Sequence, residues 1–204
     1  MYKIIMAIGL LSFSFCGFAQ DAAVALDKQL SQTHAFQADF VQSTRSEQFG
    51  NQLTEGEMTL ERPGKFIWKI TAPDKQTLVS DGKTLWVYDV DLKQVIIQPV
   101  SQRLDETPAL LLAGKVESIK QFFTVTRLAT DEPGQWYTLK SRDQEGLVDK
   151  VVLGFINNTI KEMKIYDNLG QRTDIRFSNI KTNPKLAQNH FKFIPPKGVE
   201  VISE

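Results

Sequence analysis

Alternating hydrophobic and polar positions run through most of the chain and predict β-strands rather than helices. Within residues 66–71, Phe66, Trp68 and Ile70 point to one face of the predicted strand, and Ile67 points to the other. An antiparallel sheet normally keeps one face in water. Large apolar side chains on both faces therefore predict that helices cover the second face or that the sheet wraps a cavity, which would hold an apolar ligand.

Turn residues divide this pattern into a series of hairpins. Pro63-Gly64, Asp81-Gly82 and Asn157-Asn158 are typical turn sequences, and each separates two strand-like stretches. The predicted strands comprise residues 36–46, 53–61, 66–71, 76–80, 84–89, 94–99, 122–128, 135–142, 150–156, 160–167 and 172–179. About eleven strands result, nearly all antiparallel to their neighbours.

Two segments interrupt the β pattern and predict helices. In residues 22–32, Val24, Leu26 and Leu30 recur at near-helical spacing. Residues 107–121 carry Pro108, which suits a first helical turn, and Gly114, which suits a helix end. Residues 109–113 have no polar side, so this short helix must be covered all round or lie across an apolar ligand. We interpret it as a lid.

The first nineteen residues have the pattern of a cleaved secretory signal. Lys3 is followed by an apolar run over residues 4–15 and then by small residues ending at Ala19. The run is too short to span a bilayer, which takes about 20 residues. Cys16 follows a phenylalanine rather than the small residue that precedes an anchoring cysteine, so it leaves with the signal. We expect a mature chain of one domain, residues 20–204, without a thiol.

Charge and composition exclude several classes of function. The 24 Lys and Arg balance the 24 Asp and Glu, so neither nucleic acid nor an anionic membrane surface is an expected partner. His34 and His190 are the only histidines, and neither has a partner at motif spacing. Serines such as Ser80 lie outside any G-x-S-x-G context. The sequence predicts no catalytic residue, no metal site and no cofactor, and therefore no enzyme.

Five motifs occur in order along the chain. They are F-x-A-D-F-x-Q at residues 36–42, G-x-M-x-L-x-R-P-G-K-F-x-W at 56–68, LVSDGKTLWVYD at 78–89, ETPALLL at 106–112 and FIPPKGVEVI at 193–202. Together they resemble the periplasmic outer-membrane lipoprotein carrier, the LolA family, over essentially the whole mature chain. The resemblance implies a mainly β fold with a few helices (α+β). It is an incomplete, half-open antiparallel β-barrel of about eleven strands, closed by short helices that act as a lid.

The resemblance also implies a set of site residues. In this family the arginine matched by Arg62 holds the lid shut through backbone carbonyls of the lid helix, matched here by Pro108, Ala109, Leu110, Leu111 and Leu112. A guanidinium has five donors, and the last carbonyls of a short helix lack partners. The positions expected to line the lipid-binding cavity are Phe36, Phe40, Met58, Leu60, Phe66, Trp68, Trp86 and Tyr88. Of these, Phe66 and Trp68 are expected near the cavity mouth.

The function implied by the resemblance is transport without covalent chemistry. A monomeric periplasmic carrier would accept acylated lipoproteins from an inner-membrane lipoprotein-releasing ABC transporter and deliver them to an outer-membrane lipoprotein receptor. Two alternatives stay open. One is a lipid-binding sensor or receptor domain of the same barrel class, and the other, less favoured, is an exported lipid-processing enzyme.

Overall fold

The computed structural model describes residues 17–48, 50–100, 108–114 and 116–203. The predicted leader falls outside these ranges up to residue 16. The helices are α1 Gly17–Ser31, α2 Pro108–Ala113 and α3 Val116–Phe122. The strands are β1 Ala35–Ser46, β2 Gly50–Glu61, β3 Lys65–Ala72, β4 Gln76–Asp81, β5 Thr84–Asp89, β6 Gln94–Pro99, β7 Phe123–Arg127, β8 Gln135–Ser141, β9 Val148–Ile156, β10 Thr159–Asp167, β11 Arg172–Thr182 and β12 Glu200–Ser203.

All twelve strands belong to one sheet that does not close on itself. The order across it is β12-β6-β5-β4-β3-β2-β1-β11-β10-β9-β8-β7, so β12 and β7 form the two edges. Neighbouring strands are antiparallel except β12, which pairs in parallel with β6. The predicted mainly β class and open antiparallel architecture are confirmed. The twelfth strand was not predicted, because four exposed residues become a strand only through pairing with β6.

The face that carries Phe36, Leu60 and Phe66 is termed the inner face. Leu26 and Leu30 of α1 pack into the same core, which explains the near-helical spacing in the sequence. Helix α1 lies against β7, and α2 lies against β2 and β3. The segment 107–121 contains a second helix, α3, beyond the single short helix that was predicted. Among the described helices, none has the length and hydropathy needed to cross a membrane.

The opposite, outer face is covered at β5 by the C-terminal tail. Trp86 pairs with Val79, while its neighbour Leu85 pairs with Ser80 on the inner face. The Phe193 ring lies 6.3 Å from the Trp86 ring and 6.0 Å from the Tyr88 ring. The expected place of Trp86 and Tyr88 in the cavity is therefore corrected. These side chains project from the outer face because side chains alternate along a strand, and the tail supplies their cover.

Candidate functional site

An apolar wall forms on the inner face of strands β1, β2 and β3. Six of the predicted cavity residues lie on it, each at most 4 % exposed: Phe36, Phe40, Met58, Leu60, Phe66 and Trp68. Cross-strand pairing places Phe36, Leu60 and Phe66 in one row and Met58 beside Trp68 in the next. The wall is enclosed in this conformation. Phe66 and Trp68 thus lie within the covered core, where α2 packs on β3, rather than at an exposed rim.

The packing of this wall depends on a glycine. The Phe40 ring stacks on the Trp68 indole, with ring centroids 4.1 Å apart. A Cβ at Gly56 would lie 2.6 Å from the Phe40 ring and 2.2 Å from the Lys69 carbonyl oxygen. Only a residue without a side chain allows the Phe40 ring to approach the β2 backbone this closely. Gly56 and Trp68 therefore occur together in the second sequence motif because the Phe40 ring packs against both.

Helix α2 closes the inner face beside this wall. Its residues Ala109, Leu110, Leu111, Leu112 and Ala113 are all between 0 and 4 % exposed, and only Pro108 is half-buried. The predicted burial of the helix on every side is confirmed. The Gly114 N–H donates to the Leu110 carbonyl over 2.8 Å and ends the helix. A six-residue helix is unstable alone, so α2 is held by its surroundings.

A chain of hydrogen bonds fixes the end of α2 to the β2–β3 turn. The Gly64 N–H donates to the Ala113 carbonyl over 2.7 Å. The Ser80 hydroxyl donates to the Gly64 carbonyl over 2.7 Å and accepts from the Gly82 N–H over 3.1 Å. Gly64 adopts a φ of 78°, which the proline-glycine turn permits and other residues resist. The turn, the next hairpin and the lid helix thus form one bonded unit.

Sequence reasoning missed Ser80 as a site residue, although a signal was present. Ser80 is fully buried and pairs across the sheet with Phe66. A serine at an inner-face position of an alternating strand must find hydrogen-bond partners once it is buried. Main-chain groups of the adjoining Asp81-Gly82 turn are the nearest candidates. The hydroxyl therefore has a structural role here, since it joins two main-chain groups.

We predict that Ser80→Ala lowers the free energy of unfolding by about 2 kcal/mol, because the Gly64 carbonyl and the Gly82 N–H both lose a partner. Urea unfolding measures this loss, and hydrogen exchange should rise over residues 109–113. Ser141→Ala is the matched control. Its hydroxyl also donates to and accepts from a neighbouring main chain, but in an exposed turn. Equal losses in both variants would contradict the prediction.

Arg62 lies at the same turn, with its guanidinium buried. Its Nη1 donates to the Thr33 carbonyl, and its main-chain N–H donates to the His34 carbonyl over 2.8 Å. Burial lowers the pKa of Arg62 to about 10, so it stays charged at neutral pH. Among the described residues, no carboxylate pairs with it. The described side-chain bond ties the turn to the segment between α1 and β1. Bonds from Arg62 to the carbonyls of residues 108–112 stay a prediction.

The described side chains of the wall and of α2 are apolar. Within the described ranges, no group of three His, Cys, Asp or Glu side chains is placed to hold a metal ion. His34 lies on the α1–β1 connection and His190 on the C-terminal tail. The arrangement offers a closed apolar surface and a bonded lid. It can bind and release an apolar group.

Comparison with known proteins identifies relatives along nearly the whole chain. The model of the family described as outer membrane lipoprotein carrier protein LolA matches residues 31–194. An outer-membrane lipoprotein carrier protein of Hahella chejuensis is 38 % identical over 207 residues, covering 99 % of each chain. One of Pseudomonas fluorescens is 43 % identical over 190 residues, covering 91 % of each. The crystal structure of a LolA superfamily protein from Nitrosomonas europaea shares the fold, with TM-score 0.51 and 16 % identity over 86 % of this chain and 98 % of that one.

Proposed function

Because the chain belongs to the outer membrane lipoprotein carrier protein LolA family, we propose that it moves acylated lipoproteins between an inner-membrane ABC transporter and an outer-membrane receptor. The protein is a periplasmic lipoprotein carrier and not an enzyme. In the proposed cycle, the transporter loads the carrier and the receptor unloads it. The proposal includes removal of residues 1–19 during export, which leaves a single domain over residues 20–204.

The observation that supports this cycle best is the wholly apolar wall closed by a separately bonded helix. We propose that acyl chains occupy the space between the wall and α2 once the lid has moved. Phe66 and Trp68, on the strand against which α2 packs, would then have lipid beside them in place of α2. Apolar packing is non-directional, so the same wall can accept different acyl chains. A carrier of varied lipoproteins needs this tolerance.

Binding strength explains why the carrier needs a lid. Burial gains about 0.8 kcal/mol per methylene, so a chain with about 14 methylenes gains ~11 kcal/mol. Three such chains would exceed the practical limit of about 18 to 21 kcal/mol for reversible binding. If loading also breaks the bond between Gly64 and Ala113 and separates α2 from the wall, part of this gain is spent on opening. Release then recovers the closed lid.

We predict that Trp68→Leu lowers retention of a triacylated lipoprotein about tenfold, because the acyl chains lose contact with the largest side chain of the wall. The matched control is Trp136→Leu. Trp136 is also buried, at 7 % exposed, but it packs on Gly154 of the outer face. The control should lose comparable stability and keep wild-type retention. Equal retention by both variants would contradict the proposed wall.

Native mass spectrometry of the mature protein with a triacylated lipoprotein tests the proposed function itself. We expect a one-to-one complex with intact lipid, released on addition of the receptor. A variant that places a charge on the wall, such as Phe66→Glu, cannot serve as a non-binding control. Phe66 is 0 % exposed, and a buried carboxylate would unfold the core. Failure to form a complex would contradict the carrier cycle. Deacylated cargo would favour a lipid-processing enzyme.

A further inference from the structure

A polar cleft of about 360 Å³ lies between α1 and the ends of β7 and β8. This volume is within the range of small ligand sites, about 300 to 1,000 Å³. Its polar lining comprises Lys28, Gln29, Gln32, Arg127, Gln135 and Asn158. Binding of an acyl chain does not require these polar residues, and none of them belongs to the apolar wall.

Gln29 gives the cleft an unpaired hydrogen-bonding group. The side chain is 7 % exposed, and its Nε2 donates to Gln135 Oε1 over 2.6 Å and to Asn158 Oδ1 over 3.3 Å. Its Oε1 is buried and has no partner. Exchanging oxygen and nitrogen within the three amides moves the unpaired group but does not remove it. A buried polar group without a partner is rare in native proteins. Because this oxygen is closed to solvent, a ligand would supply its partner only by reaching past the surface of the cleft.

Two cations add a second requirement on that ligand. Lys28 on α1 and Arg127 at the end of β7 are exposed and line the same cleft. Within the described part of the chain, neither side chain forms an ion pair. A ligand that satisfies the whole cleft therefore carries a negative charge for the cations and a main-chain-like amide for Gln29. An acidic peptide has both, since every peptide unit offers an N–H and a carbonyl.

The cleft also adjoins the apolar interior. Tyr137 lines the cleft and belongs to the core cluster, where its ring contacts Phe155 edge to face at 5.9 Å. On α1, Leu26 and Leu30 enter the core while Gln29 faces the cleft. Tyr137 therefore lies between the cleft and the core, so a cargo molecule with its acyl end in the core would reach the cleft once α1 moves away from β7.

We propose that this cleft binds an acidic polypeptide segment in those cargoes that carry one after the acylated cysteine, a step that rests on the proposed function. The cations select carboxylates on the segment, and the Gln29 amide pairs with its main chain. The wall then holds the lipid without regard to sequence, and the cleft discriminates among cargoes. Linking the two binding events makes the second intramolecular, so a weak cleft interaction becomes measurable.

The test compares three synthetic probes on the mature protein by fluorescence titration. The first is a triacylated cysteine followed by Ser-Glu-Glu-Gly, the second carries Ser-Gln-Gln-Gly instead, and the third is the acidic peptide without lipid. We expect the first to bind about fivefold more tightly than the second at low salt, the size expected of two exposed charge pairs. The lipid-free peptide should bind only at millimolar concentration.

Three variants test whether the preference for the acidic lipopeptide arises in the cleft. Lys28→Gln combined with Arg127→Gln should remove the difference between the two lipopeptides, while Gln29→Met should weaken both to a similar extent. Lys75→Gln, an exposed lysine in the β3–β4 connection, is the control and should change neither affinity. Equal binding of both lipopeptides by the wild type, or a preference that survives the double substitution, would overturn the cleft proposal alone. If neither lipopeptide binds, the proposed function fails with it.

Discussion

Replacing Arg62 with leucine is expected to leave the carrier folded and loaded but to slow the delivery of lipoprotein to the outer-membrane receptor about tenfold. Arg62 ties the β2–β3 turn to the Thr33 carbonyl, and Gly64 of the same turn holds the end of α2. Loss of the guanidinium loosens this unit, so less binding energy is spent on opening and the lipid is retained more firmly. A tenfold effect corresponds to about 1.4 kcal/mol, comparable to one hydrogen bond from a charged donor.

The folded state itself should tolerate the change. Burial lowers the pKa of Arg62 to about 10, so the unfolded chain binds this proton more tightly than the folded chain. The difference opposes folding at every pH below about 10 and is removed only as the pH rises above that value. Leucine removes this buried cation and leaves one unpaired carbonyl, so the two effects on stability oppose each other. Thermal unfolding at neutral pH should therefore shift little.

A transfer assay with transporter, carrier and receptor separates loading from delivery. Arg45→Leu is the control, because Arg45 is exposed near the end of β1 that lies far from the turn. Wild-type delivery by Arg62→Leu would remove Arg62 from the mechanism. A defect in loading with normal delivery would reverse the proposed role of the lid.

The strands were predictable because hydrophobic alternation and turn residues are local signals. What covers each face of the sheet was not predictable from the same local signals. The alternation around Trp86 and Tyr88 indicates two apolar faces but does not say what covers each. The outer cover comes from Phe193, more than a hundred residues away in sequence, and nothing in the local sequence of the tail marks it as a partner of β5.

The lid helix was predictable from its side chains, but the bond that holds it in place was not. Residues 109–113 have no polar side, which predicted a helix either covered all round or lying across an apolar ligand, and the structure shows the first. The bond that holds the helix joins the Gly64 N–H to the Ala113 carbonyl, and main-chain groups carry no residue-specific signature. Arg62 was selected only through the family resemblance, whereas Gly64, two residues further along the turn, makes the described contact with α2.

The largest effect on stability is expected from Gly56→Ala, which should lower the free energy of unfolding by about 3 kcal/mol or more. A Cβ at this position meets the Lys69 carbonyl oxygen at 2.2 Å and the Phe40 ring at 2.6 Å. Relief requires β2 to move away from β3 and the Phe40 ring to leave its stack on Trp68. Overpacking of a core costs about 1 to 3 kcal/mol and occasionally more. A main-chain oxygen and a ring must both move here, which places the loss at the upper end of that range.

Substitution of two other glycines, compared in urea unfolding, shows how much of this loss comes from steric overlap and how much from backbone conformation. Gly154→Ala meets only the Trp136 ring, at 2.6 Å, so a side-chain shift can relieve it and the loss should be smaller. Gly170→Ala meets nothing within 4 Å but has a φ of 80°, so its cost of about 1 kcal/mol is that of the backbone conformation. If Gly56→Ala costs no more than Gly170→Ala, the Phe40 ring does not need the glycine. Because the strained region is the wall itself, Gly56→Ala should also weaken lipoprotein retention, whereas Gly154→Ala, on the outer face, should not.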